Sequence, residues 1–114
     1  MVGEVVSMSS LIYSNEAKMV YAQKLIGKVM KTLYLAEEDN NIVPAVYLHA
    51  LIIDVNSANN MFDNIFIDIS VKLNALYMLS NQAIPHSEIR SRVLECANMV
   101  DRIRKELGGN GKSS

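Results

Sequence analysis

Residues 45–80, AVYLHALIIDVNSANNMFDNIFIDISVKLNALYMLS, carry an unbroken alternation of four-residue and three-residue steps. Eight of the ten positions are apolar, and this spacing keeps one side of an α-helix facing a partner, as in coiled-coil heptads. Because residues 41–84 include just four charged side chains, we expect this segment to be covered on several sides. The ten positions are Leu48, Ile52, Val55, Asn59, Phe62, Phe66, Ile69, Leu73, Leu76 and Ser80.

The segment before it repeats the pattern from residue 5 to residue 36, with four lysines off the apolar side. Ser14 suits an N-cap, so the pattern predicts a helix over residues 15–38. Residues 5–12 then form either a shorter helix or the first turns of the same one. The lysines are Lys18, Lys24, Lys28 and Lys31.

The last helical segment follows Pro85, with Ser87 as the predicted N-cap and Glu88 favourable near the positive helix end. Its apolar positions again step by four and three, and Gly108 suits a residue just past the helix end. We therefore predict one domain over residues 1–107 and a disordered tail over residues 108–114. The apolar positions are Ile89, Val93, Cys96, Val100, Ile103 and Leu107.

Two features of the middle segment leave its division open. Residues 56–60, NSANN, favour caps and turns, so a single long helix either runs through them or breaks there. Residues 65–71 alternate β-branched side chains and partly resemble a strand, although the helical spacing continues in phase. The prediction is an all-α antiparallel helical bundle of three long or four shorter helices.

Length, charge and cysteine content limit the function classes. The chain has 114 residues and a formal net charge of −1, which provides no overall attraction to nucleic acid or anionic membrane. The first ten residues lack a basic signal-peptide region, and the uncharged runs are too short and polar for a membrane span. With Cys96 as the single cysteine, no intrachain disulfide can form, which fits a reducing, cytoplasmic location.

No pattern of side chains predicts an enzyme, a cofactor or a metal site. The GGNGKS sequence at residues 108–113 has Glu106 where a phosphate-binding loop needs its first glycine, and no strand precedes it. His49 and His86 lack the Glu-x-x-His spacing of di-iron bundles. Cys96 is expected in the core, and the acidic residues 37–39 are expected beside a solvated loop.

The leading functional hypothesis is a non-enzymatic, self-associating adaptor or accessory subunit, a homodimer with the apolar middle segment at its interface. Its candidate interface residues are Ile65, Ile69, Leu73 and Leu76, for which the alternative is a place in the intramolecular core. The second hypothesis is contact with the nucleic-acid backbone through basic residues of the first and last helices. These are Lys24, Lys28, Lys31, Arg90, Arg92, Arg102, Arg104 and Lys105.

Overall fold

The described part of the chain, residues 14–109 of a computed structural model, is an all-α bundle. It contains four helices, which confirms the all-α prediction and selects the four-helix alternative. In chain order they are α1 (Asn15–Glu38), α2 (Ala45–Met61), α3 (Ile67–Tyr77) and α4 (His86–Gly109). The predicted turns over residues 5–12 and the tail from residue 110 onward lie outside the described residues.

Helix α1 begins directly after Ser14, the N-cap that the sequence predicts. The Ala17 amide donates to the Ser14 hydroxyl at 3.2 Å, which satisfies one of the free amides of the first turn. One side of the helix is buried, as expected from helical spacing. Of the four lysines, Lys24, Lys28 and Lys31 are exposed and Lys18 is half-buried. The buried residues are Ala22, Leu25, Val29, Thr32, Leu33 and Ala36.

The middle segment forms two helices. The break between them lies after Met61, and not within residues 56–60, where the sequence-based alternative placed it. Helix α2 continues to Met61, and Asp63 and Asn64 then adopt left-handed backbone conformations with φ of 57° and 63°. The Asn64 amide donates to the Asn59 carbonyl at 2.8 Å, a helix-ending bond of the Schellman type. The strand alternative for residues 65–71 is wrong, since α3 begins at Ile67.

The boundaries of α4 differ from the predicted ones. The Pro85 carbonyl accepts the amides of Glu88 and Ile89 at 2.9 and 3.1 Å, so the helix starts at His86 and Ser87 is not its N-cap. At the other end α4 includes Gly108 and Gly109, two residues beyond the predicted end. Gly108 lies against Met19 of α1, where a Cβ atom would come within 2.8 Å of the methionine methyl group.

Helices α1 and α4, the first and last of the described helices, run antiparallel along each other. The Asn15 amide group donates to the Leu107 carbonyl at 3.5 Å at one end of the α1–α4 pair, and Glu37 contacts His86 at 2.6 Å at the other. Helix α1 therefore packs along α4, whereas its contact with α2 is sparse. Helices α2 and α3 pack as a hairpin, joined by a 2.7 Å hydrogen bond from the Ser70 hydroxyl to the Asn56 side chain.

The two connections at one end of the bundle pair with each other. Ile42 and Ala83 form an isolated antiparallel bridge, and the Val43 amide donates to the Gln82 carbonyl at 3.1 Å. Left-handed asparagines allow the tight turns, with φ of 63° at both Asn41 and Asn81. This pairing fixes the α1–α2 connection against the α3–α4 connection.

The core runs through all four helices, and nine of the ten middle-segment positions are buried; Ser80 is half-buried. Phe66 is fully buried and packs near the rings of Tyr21 and Phe62, with centroid distances of 5.3 and 6.4 Å. None of the described helices is long and apolar enough to cross a membrane.

Candidate interaction surfaces

The predicted interface residues lie in the core of the single chain. Ile69, Leu73 and Leu76 are at most 4% exposed, and Ile65 is half-buried against the same core. Their placement matches the alternative that they belong to the core of the single chain, because all four pack within the bundle. These residues are therefore not available for contact with a second copy.

The α2–α3 hairpin has an apolar side that the bundle leaves uncovered, contrary to the expectation that this segment is covered on several sides. Val46 is 86% exposed, Met78 78%, Val71 61% and Ile53 56%. We call this surface the outer face and define it by its side chains in both helices. They are Val46, His49, Ala50 and Ile53 of α2, and Ile67, Val71, Asn74, Tyr77 and Met78 of α3 or its C-cap.

The outer face is continuous across the two helices. Tyr77 of α3 lines shallow clefts together with His49 and Ile53 of α2, and the His49 and Tyr77 rings lie 5.9 Å apart. The α3 part of the outer face follows helical spacing. Steps of four, three and four residues place its members on one side of the helix: Ile67, Val71, Asn74 and Met78.

No charged residue belongs to the outer face. Asp54 lies on the side of α2 that faces α1, where it pairs with Lys28, and Lys72 of α3 pairs with Glu95 of α4. Depletion of charge is the compositional mark of the buried centre of protein interfaces, and exposed apolar patches of this kind mark interaction sites.

A second surface is the groove between α1 and α2, which we call the lysine groove. It is an open groove of about 530 Å³, formed where α1 and α2 pack loosely. Three of the predicted basic residues meet there on one side of α1. The lining residues are Lys24, Gly27, Lys28 and Lys31 of α1 and Tyr47, Ala50, Leu51 and Asp54 of α2.

The lysine groove is held by specific contacts. The Lys28 ammonium pairs with the Asp54 carboxylate at 2.8 Å, and the Tyr47 hydroxyl donates to the Lys28 carbonyl at 2.6 Å. The Lys31 ammonium lies 5.8 Å from the centre of the Tyr47 ring, at cation–π distance. Burial, and secondarily the Asp54 carboxylate, raises the pKa of Tyr47, so this phenol stays protonated.

The basic residues of α4 are not part of this groove. Arg92 pairs with Glu88 at 3.1 Å, and both Arg104 and Lys105 pair with Asp101, at 2.7 and 3.2 Å. These contacts from Arg104 and Lys105 lower the pKa of the Asp101 carboxyl. Arg90 and Arg102 line a separate cleft on α4, which shares no lining residue with the lysine groove. The eight predicted basic residues therefore form two groups.

The described residues contain no group of three or more His, Cys, Asp or Glu side chains placed to hold a metal ion. Cys96 is buried, and burial, followed by the Glu95 charge, raises its pKa to about 12. A thiol in that state is protonated at neutral pH and a poor nucleophile. Its position in the core agrees with the sequence-based expectation.

Sequence reasoning missed Tyr47, Asp54 and the exposed residues of α2. Asp54 could have been noticed as the single charge in the uncharged run before residue 63, because a lone carboxylate on an apolar helix needs a partner. Val46 and Ile53 fall off the four-three positions, and apolar residues at such positions in a heavily apolar helix signal a second apolar side.

Comparison of the chain with protein-family models, with curated protein sequences and with solved structures found no match.

Proposed function

We propose that this protein is a non-enzymatic helical interaction protein that self-associates through the outer face of its α2–α3 hairpin. The observation that carries the proposal is the exposure of Val46, Ile53, Val71 and Met78 on one uncharged surface. Removing such side chains from water contributes about 1.5–3 kcal/mol each when burial is complete. The adaptor or accessory role rests on this surface.

A second copy of the chain is the partner that this surface fits. In a two-fold dimer each patch meets an identical patch, so any charge near the axis would face a like charge. The outer face itself has no charged side chain, and its neighbours Asp54 and Lys72 are paired within the chain. Asp68, three residues before Val71, is exposed at the edge of this surface and forms no ion pair with a described residue. Self-contact through the outer face itself therefore brings no like charges together.

The alternative, contact with the nucleic-acid backbone through α1 and α4, has weaker support. Three of its five α4 residues pair with acidic neighbours, so they offer little free charge to phosphates. The α1 lysines are freer, although they face α2 and not α4. Nucleic-acid contact therefore stays a prediction with less support than self-association.

Sedimentation equilibrium over a wide concentration range tests the proposal. We expect a dimer that persists at high salt, because an apolar contact is not screened. The double variant Val46→Glu/Ile53→Glu should be a folded monomer, since both side chains are exposed in the single chain and two buried carboxylates would oppose association.

The matched control is Val20→Glu/Tyr34→Glu, which replaces two exposed apolar residues of α1 outside the outer face. It should leave the dimer intact. A monomer at every concentration of the unaltered chain would contradict the proposal, and so would a dimer that the Val46→Glu/Ile53→Glu substitutions leave unchanged.

A further inference from the structure

The lysine groove has the form of a ligand site. Its volume of about 530 Å³ lies within the range typical of small-molecule sites. Its α2 side offers the exposed Ala50 next to the Tyr47 ring, with the buried Leu51 beneath them, and its α1 side offers ammonium groups. A ligand that fits both sides has an anionic group attached to a planar or apolar one.

The charge of the groove is opposite to that of the whole chain. Three lysines and one aspartate give its lining a net charge of +2, whereas the chain has −1. Lys28 is neutralised by Asp54, while no described residue forms an ion pair with Lys24 or Lys31. Both ammonium groups thus lack a counter-ion among the described residues and attract an anion into the groove, although the Lys31 ammonium also lies at cation–π distance from the Tyr47 ring.

Gly27 lies between these two free lysines along α1. Lys24 and Lys31 are seven residues apart, which is about 10 Å along a helix axis, so two flexible lysine stems can converge on a point midway. A Cβ atom on Gly27 would meet nothing within 4 Å, so the space above it is open. An anion resting there would be flanked by both ammonium groups.

We propose that the lysine groove binds a phosphate ester, with the phosphate over Gly27 between Lys24 and Lys31 and the attached group against Ala50 and Tyr47. A phosphate monoester carries about −1.5 to −2 charges at neutral pH, which matches the +2 of the lining better than one carboxylate does. Lysine binds phosphate as a point charge and needs no fixed fork geometry. This inference does not rest on self-association, because neither free lysine belongs to the outer face.

A nuclear magnetic resonance titration of the ¹⁵N-labelled full chain with adenosine 5′-monophosphate is the test. We expect saturable shifts of the Gly27, Lys28 and Tyr47 amides, weaker shifts with inorganic phosphate, and none with adenosine. A single-stranded oligonucleotide distinguishes the source of the phosphate. Tighter, strongly salt-dependent binding of the oligonucleotide would assign it to nucleic acid, and binding of the mononucleotide alone to a free metabolite; both outcomes support the site.

Two variants separate this site from general charge effects. Lys24→Gln/Lys31→Gln should weaken binding by about tenfold or more, because it removes both free ammonium groups. Gly27→Leu should abolish binding by filling the space above the helix, without loss of helical content. The matched control, Arg90→Gln/Arg102→Gln, makes the same charge change on α4 and should leave the affinity for adenosine 5′-monophosphate unchanged.

Three outcomes would overturn the proposal. The first is no shift with any of the phosphate probes. The second is a set of shifts that maps to α4 or that survives Lys24→Gln/Lys31→Gln. The third is an acidic peptide that shifts the groove amides while adenosine 5′-monophosphate does not, which would assign the groove to carboxylates.

Discussion

At the scale of single residues, the informative positions are polar side chains that the apolar spacing places inside the bundle. Asn59 falls on the buried side of α2, and its side-chain oxygen accepts the Phe66 amide at 2.8 Å while its amide nitrogen has no partner. Asn59 and Ser80 are the two polar residues among the ten positions of the four-three spacing. In the fold Asn59 fixes the segment that connects α2 to α3.

We expect Asn59→Ala to destabilise the protein by about 1–3 kcal/mol. The substitution leaves the buried Phe66 amide without an acceptor, and an unpaired buried donor costs roughly that much. Urea denaturation followed by circular dichroism measures the change. Asn60→Ala, at an exposed position next along the helix, should change the free energy of unfolding by less than about 0.5 kcal/mol, and equal effects of the two variants would refute this role.

At the scale of helices, the residues at the helix ends match the known preferences for capping residues. The interior of α1 includes a residue with low helix propensity. Ser14 caps α1, and left-handed Asn and Asp residues end α1 and α2. Gly27, by contrast, lies in the middle of α1 with open space above it, where glycine lowers helix stability and makes no packing contact. Alanine at that position would give a more stable helix.

Gly27→Ala should therefore stabilise the protein by about 1 kcal/mol, the difference in helix propensity between the two residues. A thermal or urea denaturation series measures it. Gly108→Ala is the comparison, because its Cβ would come within 2.8 Å of the Met19 methyl group and the helix gain would be offset by that contact. If Gly27→Ala destabilised the chain, the space above Gly27 would not be open and the ligand site proposed there would lose its basis.

At the scale of the whole molecule, four antiparallel helices bury one face each and leave the outer face of the α2–α3 hairpin in water. The α1–α4 pair and the α2–α3 hairpin each pack closely, and they meet more sparsely along the lysine groove. Both surfaces proposed for binding thus arise from the arrangement of the helices and not from any one of them.

If the outer face forms a dimer, the melting temperature should rise with protein concentration, because dissociation accompanies unfolding. Calorimetry or circular dichroism over a hundredfold concentration range measures it. The Val46→Glu/Ile53→Glu variant should melt at one temperature throughout that range. A melting temperature of the unaltered chain that is equally independent of concentration would argue against the dimer.

The apolar spacing in the amino-acid sequence predicted the helices and much of the core, although Leu25 and Leu51, which lie off that spacing, are also buried. The spacing at Leu48, Val55, Phe66 and Leu73 repeats within a few residues along the chain, and helical geometry alone turns that repeat into a buried side. The start of α1 after Ser14 was also predictable, because the capping hydrogen bond joins Ser14 to an amide just three residues later.

The tertiary structure alone decided where the middle segment breaks and which surfaces remain exposed. The interface predicted at Ile69 and Leu73 depended on how many neighbours cover α3, and the bundle buries both residues itself. Likewise, Lys28 meets Asp54 across 26 positions of the chain, and no local pattern encodes that pairing. Such contacts depend on how whole helices dock, so they become visible only once the helices are assembled.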